Sequence, residues 1–88
     1  MLKEEFIPMA RVPLQSSVLA ATEYFPELQA LDIVFNSGEA YRYLKVPMSL
    51  YQDLLEADSK GIFFNAHVRN QFSFQYLGES GPLSADAD

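Results

Sequence analysis

Residues Tyr41 to Asn65 read YRYLKVPMSLYQDLLEADSKGIFFN, and the order of elements in this stretch decides the fold. Tyr41-Arg42-Tyr43 suits a strand, since aromatic residues at alternate positions share one face of a pleat. Val46-Pro47 then marks a boundary, with proline at or near the first helical position, where its missing N–H costs nothing. Met48, Tyr51, Leu54 and Leu55 recur at helical spacing up to Ala57, while Gln52, Asp53 and Glu56 fall on the wet side. Asp58-Ser59 interrupts this helix, and either residue is a good N-cap for the next. The second helix is expected to run to about Arg69, with Ile62, Phe63 and Ala66 facing inward, Val68 as a further candidate, and Asn70 as a left-handed terminator.

Upstream, Ala30 to Phe35 alternates clearly, with Leu31, Ile33 and Phe35 on one face and Asp32 and Val34 on the other. Asn36-Ser37-Gly38 suits a three-residue hairpin loop, a type I turn closed by glycine in the left-handed region. That loop sets the register: Phe35 faces Glu39, Ile33 faces Tyr41, Asp32 faces Arg42 and Leu31 faces Tyr43. A two-residue loop would set Arg42 against Ile33 instead, and cross-strand pairing prefers the first arrangement by up to roughly 1 kcal/mol per pair. Ser16-Ser17 opens a run from Val18 to Tyr24 that suits a strand, with helix the alternative for Ser17 to Thr22; Phe25-Pro26-Glu27 ends it. Residues 1–15, with Pro8 and Pro13, read as an extended lead-in packed through Phe6, Ile7 and Val12. Downstream, Phe72, Phe74 and Tyr76 alternate with Ser73 and Gln75 as a last short strand whose aromatic rings are expected in the core. Gly78 to Asp88 is small, polar and acidic, and is expected to be a disordered tail.

The fold expected is therefore α+β: a small antiparallel meander of three to four strands, with two consecutive helices packed on one face. The 88 residues suffice for one domain and one core, here residues 16–77, and seven Phe and five Tyr supply large buried areas from few positions. The absence of cysteine excludes disulfides, thiol catalysis and cysteine-ligated zinc. No apolar run approaches the ~20 residues that cross a bilayer, and Met1 to Glu5 lack the order of a signal peptide. A soluble, cytoplasmic protein is the default expectation. The net charge of −6 argues against a polyanionic partner overall, but residues 40–70 carry Arg42, Lys45, Lys60 and Arg69 against only Asp53, Glu56 and Asp58. That local excess of one positive charge permits a small anion site.

Catalysis has little support. His67 is the sole histidine and sits mid-helix beside phenylalanines, and no metal-binding spacing occurs, so neither enzyme, metal nor cofactor is expected. The start of the second helix, Ser59-Lys60-Gly61, is the best anion contact: first-turn N–H groups favour phosphate, Lys60 adds a charge, and Gly61 admits a close approach. The competing reading is that Ser59 caps the helix and Gly61 makes room for a neighbour. Asn65 and Arg69, at i and i+4, share one helical face beside this start. Tyr41-Arg42-Tyr43 suggests a stacking platform for unpaired bases, but the register turns both tyrosines toward the core, and Asp32 neutralises Arg42.

Together these features resemble the KTSC domain, from about Ser16 to Leu77. The matching residues are Ser16-Ser17, Ser37-Gly38 followed by Tyr41-Arg42-Tyr43, Val46-Pro47, Leu54-Leu55, Asp58-Ser59-Lys60-Gly61, Phe64-Asn65 and the aromatic pattern from Phe72 to Tyr76. This family occurs at the C-terminus of some lysyl-tRNA synthetases and as small stand-alone bacterial proteins. The resemblance implies a role in RNA binding, with the family's Y-x-Y pattern at Tyr41 and Tyr43 and its S-K-G segment at Ser59, Lys60 and Gly61. The closing segment, proline-containing in many members, is here Phe72-Ser73-Phe74 without proline. The leading expectation is RNA contact through Ser59, Lys60, Gly61, Asn65 and Arg69, with Arg42 as an addition. The alternatives are a protein-interaction or dimerisation module that uses an apolar patch or sheet edge, and a small-metabolite site at the helix start.

Overall fold

The computed structural model describes residues 9–79. Five strands form one sheet in the order β1-β2-β3-β4-β5, each antiparallel to its neighbour: β1 Val12–Pro13, β2 Leu19–Phe25, β3 Ala30–Phe35, β4 Glu39–Tyr43 and β5 Phe74–Glu79. Helices α1 (Met48–Glu56) and α2 (Lys60–His67) lie between β4 and β5 in the chain. The architecture is the expected α+β one, with Val12–Pro13, expected as extended lead-in, bringing the strand count to five. The expectations for residues 1–8 of the lead-in and 80–88 of the tail lie outside the described residues, whereas Gly78 and Glu79 end β5.

The β3–β4 hairpin has the anticipated register: Leu31 opposes Tyr43, Asp32 opposes Arg42 and Ile33 opposes Tyr41. Gly38, at φ +98°, donates its N–H to Phe35 O at 2.8 Å, a backbone position that L side chains rarely adopt. The open choice over residues 17–24 falls to a strand. Ser16 Oγ accepts from the N–H groups of Val18 and Leu19, and β2 then pairs with β3 through a bulge between Leu19 and Ala21.

One face of the sheet carries the core. Leu19, Tyr24, Leu31, Ile33 and Tyr43 pack there with Tyr51 and Leu54 of α1 and Phe64 of α2. Tyr24 and Tyr51 stack with centroids 4.9 Å apart, and the Tyr24 hydroxyl donates to Val46 O, so the buried phenol keeps a partner. On the opposite face Arg42 grips Asp32 through two hydrogen bonds of 2.7 and 2.9 Å and lies 4.8 Å over the Phe25 ring.

Helix α2 corrects one expectation. Phe64 is its buried residue, with Val68 buried just past its end, Phe63 is half-buried, and Ile62 is 71% exposed with Ala66 exposed as well. The reason is the brief link between the helices. Ala57, Asp58 and Ser59 allow little rotation, and Gly61 rests toward Ser16 and Val18, which turns the Phe64 row onto the sheet. The helix ends two residues earlier than expected, at His67, and Asn70 takes the left-handed φ of +68° in the turn that follows.

Candidate functional site

The two helices cover β2, β3 and β4 on the core face and leave β5 bare. Tyr51 of α1 stacks on Tyr24 of β2, and Phe64 of α2 meets Phe35 and Tyr43 edge-on at 5.6 and 5.4 Å. Phe74 and Tyr76 of β5 lie opposite Tyr43 and Tyr41, on the same face but beyond the helices. They are 55% and 54% exposed, which corrects their expected place in the core. Strand β5 also begins at Phe74 rather than Phe72, whose half-buried ring packs against the core.

The result is an aromatic shelf. Tyr41 lies 5.5 Å from Phe74 and 5.1 Å from Tyr76 between ring centroids, and Phe35 meets Tyr41 edge-on at 5.7 Å. Rings held by other rings lose little freedom when a further planar group is added, which favours stacking. Phe35, Tyr41 and Phe74 of the shelf line an open cleft of about 610 Å³ whose walls include Ser17, Asn36, Glu39 and, from the end of α2, Arg69 and Asn70. Burial raises the Tyr43 phenol pKa against the opposing pull of Arg69. Desolvation, helped by Glu39 and Glu79, raises that of Tyr76, so both hydroxyls stay protonated as donors at neutral pH.

The helix start forms a second, smaller hollow of about 380 Å³, lined by Ser16, Asp58, Ser59, Lys60, Gly61 and Asn65 among others. Here the Ser59 and Lys60 side chains are already engaged. Ser59 Oγ accepts from Ile62 N at 3.3 Å as the N-cap, and Lys60 Nζ donates to Ala57 O at 2.8 Å, satisfying a carbonyl at the end of α1. Arg69 Nη1 donates to Asn65 Oδ1 at 3.2 Å, so the i, i+4 pair joins the rims of the two hollows. Ser59, Lys60, Gly61 and Asn65 are thus brought together, Arg69 stands at the shelf, and Arg42 points away on the opposite face.

Sequence reasoning considered Tyr41 and Tyr43 as a platform but missed that Phe74 and Tyr76 extend it into solvent. The available signal was topological: a last strand after two helices can only join an open edge of the sheet, where coverage is thinnest. Among the described residues no three His, Asp or Glu side chains gather as a metal site, and no helix is long and apolar enough to cross a membrane.

The family model for the KTSC domain matches residues 15–72. The chain belongs to the KTSC domain family. It is 54% identical over 63 residues to an uncharacterized protein of Stutzerimonas stutzeri, covering 72% of this chain and 89% of that one. It is 41% identical over 63 residues to a lysine–tRNA ligase of Nostoc punctiforme, again over 72% of this chain but only 11% of the ligase. Among solved structures, the crystal structure of a KTSC domain protein from Yersinia pestis superposes with a TM-score of 0.77 at 32% identity, covering 82% of this chain and all of that one. The KTSC fold is therefore shared between a small protein and a short part of a much larger ligase.

Proposed function

We propose that this KTSC domain is a non-catalytic binder of single-stranded RNA, taking unpaired bases on the Tyr41, Phe74 and Tyr76 shelf. The observation that carries the reading is the exposure of Phe74 and Tyr76 on an open sheet face with an arginine at the rim. Sheet-borne aromatic rings stack bases whatever their sequence, at about 1–3 kcal/mol per base, and Arg69 supplies the charge for an adjoining phosphate. The kinship with part of a lysine–tRNA ligase supports an RNA setting, and a cytoplasmic location goes with it. Asn65, hydrogen-bonded to Arg69, lines the neighbouring hollow, and the helix start plays the smaller part. Lys60 adds charge there only after its amine leaves Ala57 O, and the Ser59–Gly61 backbone lies behind it. Arg42, bound to Asp32, takes no part.

The test is an amide NMR titration with unstructured single-stranded RNA at low and physiological salt. Saturable shifts should centre on Tyr41, Arg69, Phe74 and Tyr76. Phe74→Ala with Tyr76→Ala should weaken binding at least about tenfold, and Arg69→Ala should flatten the salt dependence by about one phosphate contact. Absence of shifts at low salt, or affinity indifferent to the double substitution, overturns the reading.

A further inference from the structure

The sheet has two edges, and they are protected to different degrees. Strand β1 is two residues long and contains Pro13, which blunts it against further pairing. Strand β5 runs six residues without proline or lysine, and Leu77 joins Phe74 and Tyr76 in exposure. Among the described residues nothing pairs with its outer side. The stretch Phe74 to Leu77 is uncharged, ahead of a bulge beside Gly78 and the charge of Glu79, and a stretch of this kind is a template for another strand.

Charge says which strand fits. At one end of this edge Glu39 and Glu79 lie directly opposite each other across β4 and β5, an arrangement of like charges that destabilises a sheet. Arg69 belongs to the other end, lining the cleft beside Tyr43 and Phe74, and the only side-chain hydrogen bond of its guanidinium among the described residues is to the neutral Asn65. A two-fold axis through the middle of β5 exchanges the two ends. We infer that two copies of this protein pair antiparallel along β5, setting Arg69 of each against Glu39 and Glu79 of the other. The pairing is isologous, as a two-fold contact must be, and closes after two copies because, among the described residues, the short β1 edge with Pro13 offers no comparable second one. It joins the two aromatic shelves into one floor and relieves a repulsion that the single chain leaves in place. This goes beyond the RNA reading and is tested without nucleic acid, so either can fail alone.

Sedimentation equilibrium of the full chain, from about 1 μM to about 1 mM, reads the association directly. The expected mass rises from the 9.9 kDa monomer toward twice that value. Arg69→Glu and Glu79→Arg should each weaken association at least about tenfold, since like charges then meet across the axis. The two together should restore it, which also shows that the chain still folds. Leu77→Lys should weaken it as an edge-blocking charge. A monomer mass throughout the range, or a dimer unmoved by both charge reversals and by Leu77→Lys, overturns the inference.

Discussion

The hollow at the start of α2 and the shelf at its end are neighbours, but their residues are in opposite states. In the first, the side chains on which a ligand would draw already serve the fold: Ser59 caps α2, Lys60 holds Ala57 O and Ser16 turns the chain into β2. In the second, aromatic rings meet one another and then solvent, and Arg69 has a neutral partner. A local motif as compact as Asp58-Ser59-Lys60-Gly61 can therefore be a joint between helices, while the surface left free for a partner comes from strands far apart in sequence. The difference can be probed by substitutions that affect stability on one side and binding on the other.

The largest expected effect lies where the two regions meet. Phe64 is 1% exposed and touches Phe35 and the buried Tyr43 beside the shelf, from the helix that frames the hollow. Phe64→Ala should cost about 3 kcal/mol in urea unfolding, through lost burial and the cavity left behind. It should also loosen Tyr41 and Phe74 in the amide spectrum. A loss below about 1 kcal/mol would mean that α2 is seated by something other than this ring.

A smaller effect is expected at the cap. Ser59→Ala removes the acceptor for Ile62 N and should cost about 1 kcal/mol, with RNA affinity unchanged. If affinity fell while stability held, the hydroxyl would be a ligand contact and the contrast between the two regions would weaken.

What sequence could and could not reveal follows the same division. The hairpin register was legible because Gly38 fixed the loop and the Asp32–Arg42 pair rewarded one alignment, and the bidentate contact bears this out. The face of α1 was legible because Tyr51 and Leu54 stand clear of a polar side. The face of α2 was not, since Ile62, Phe63 and Phe64 are consecutive and any one of them satisfies an apolar pattern; the link and the Gly61 contact decide between them. Exposure of Phe74 and Tyr76 was hidden for a related reason. Alternation assigns a residue to a face of the sheet, but whether a helix covers that face at that strand depends on tertiary packing. Tyr43 and Tyr41 share their face with Phe74 and Tyr76, and only helix coverage separates the buried Tyr43 from the open rings of β5.

The smallest expected effect settles most about the helix start. Gly61 lies in the first turn of α2, and a Cβ there would stand 3.6 Å from Ser16 Oγ and 3.7 Å from Val18 Cβ, ordinary packing distances. Gly61→Ala therefore introduces no clash and reduces the freedom of the unfolded chain, so it should stabilise the protein by about 0.5 kcal/mol. The same methyl group would take up space in the hollow beside Ser16 and hinder the close approach to the Gly61 backbone that a phosphate there would need. With RNA held on the shelf, the variant gains stability and keeps its affinity. With phosphate held at the helix start, it gains the same stability and loses binding, and the Ser59-Lys60-Gly61 segment becomes the contact surface. One substitution thus separates the two regions, because its folding effect has the same sign in both cases and its binding effect does not.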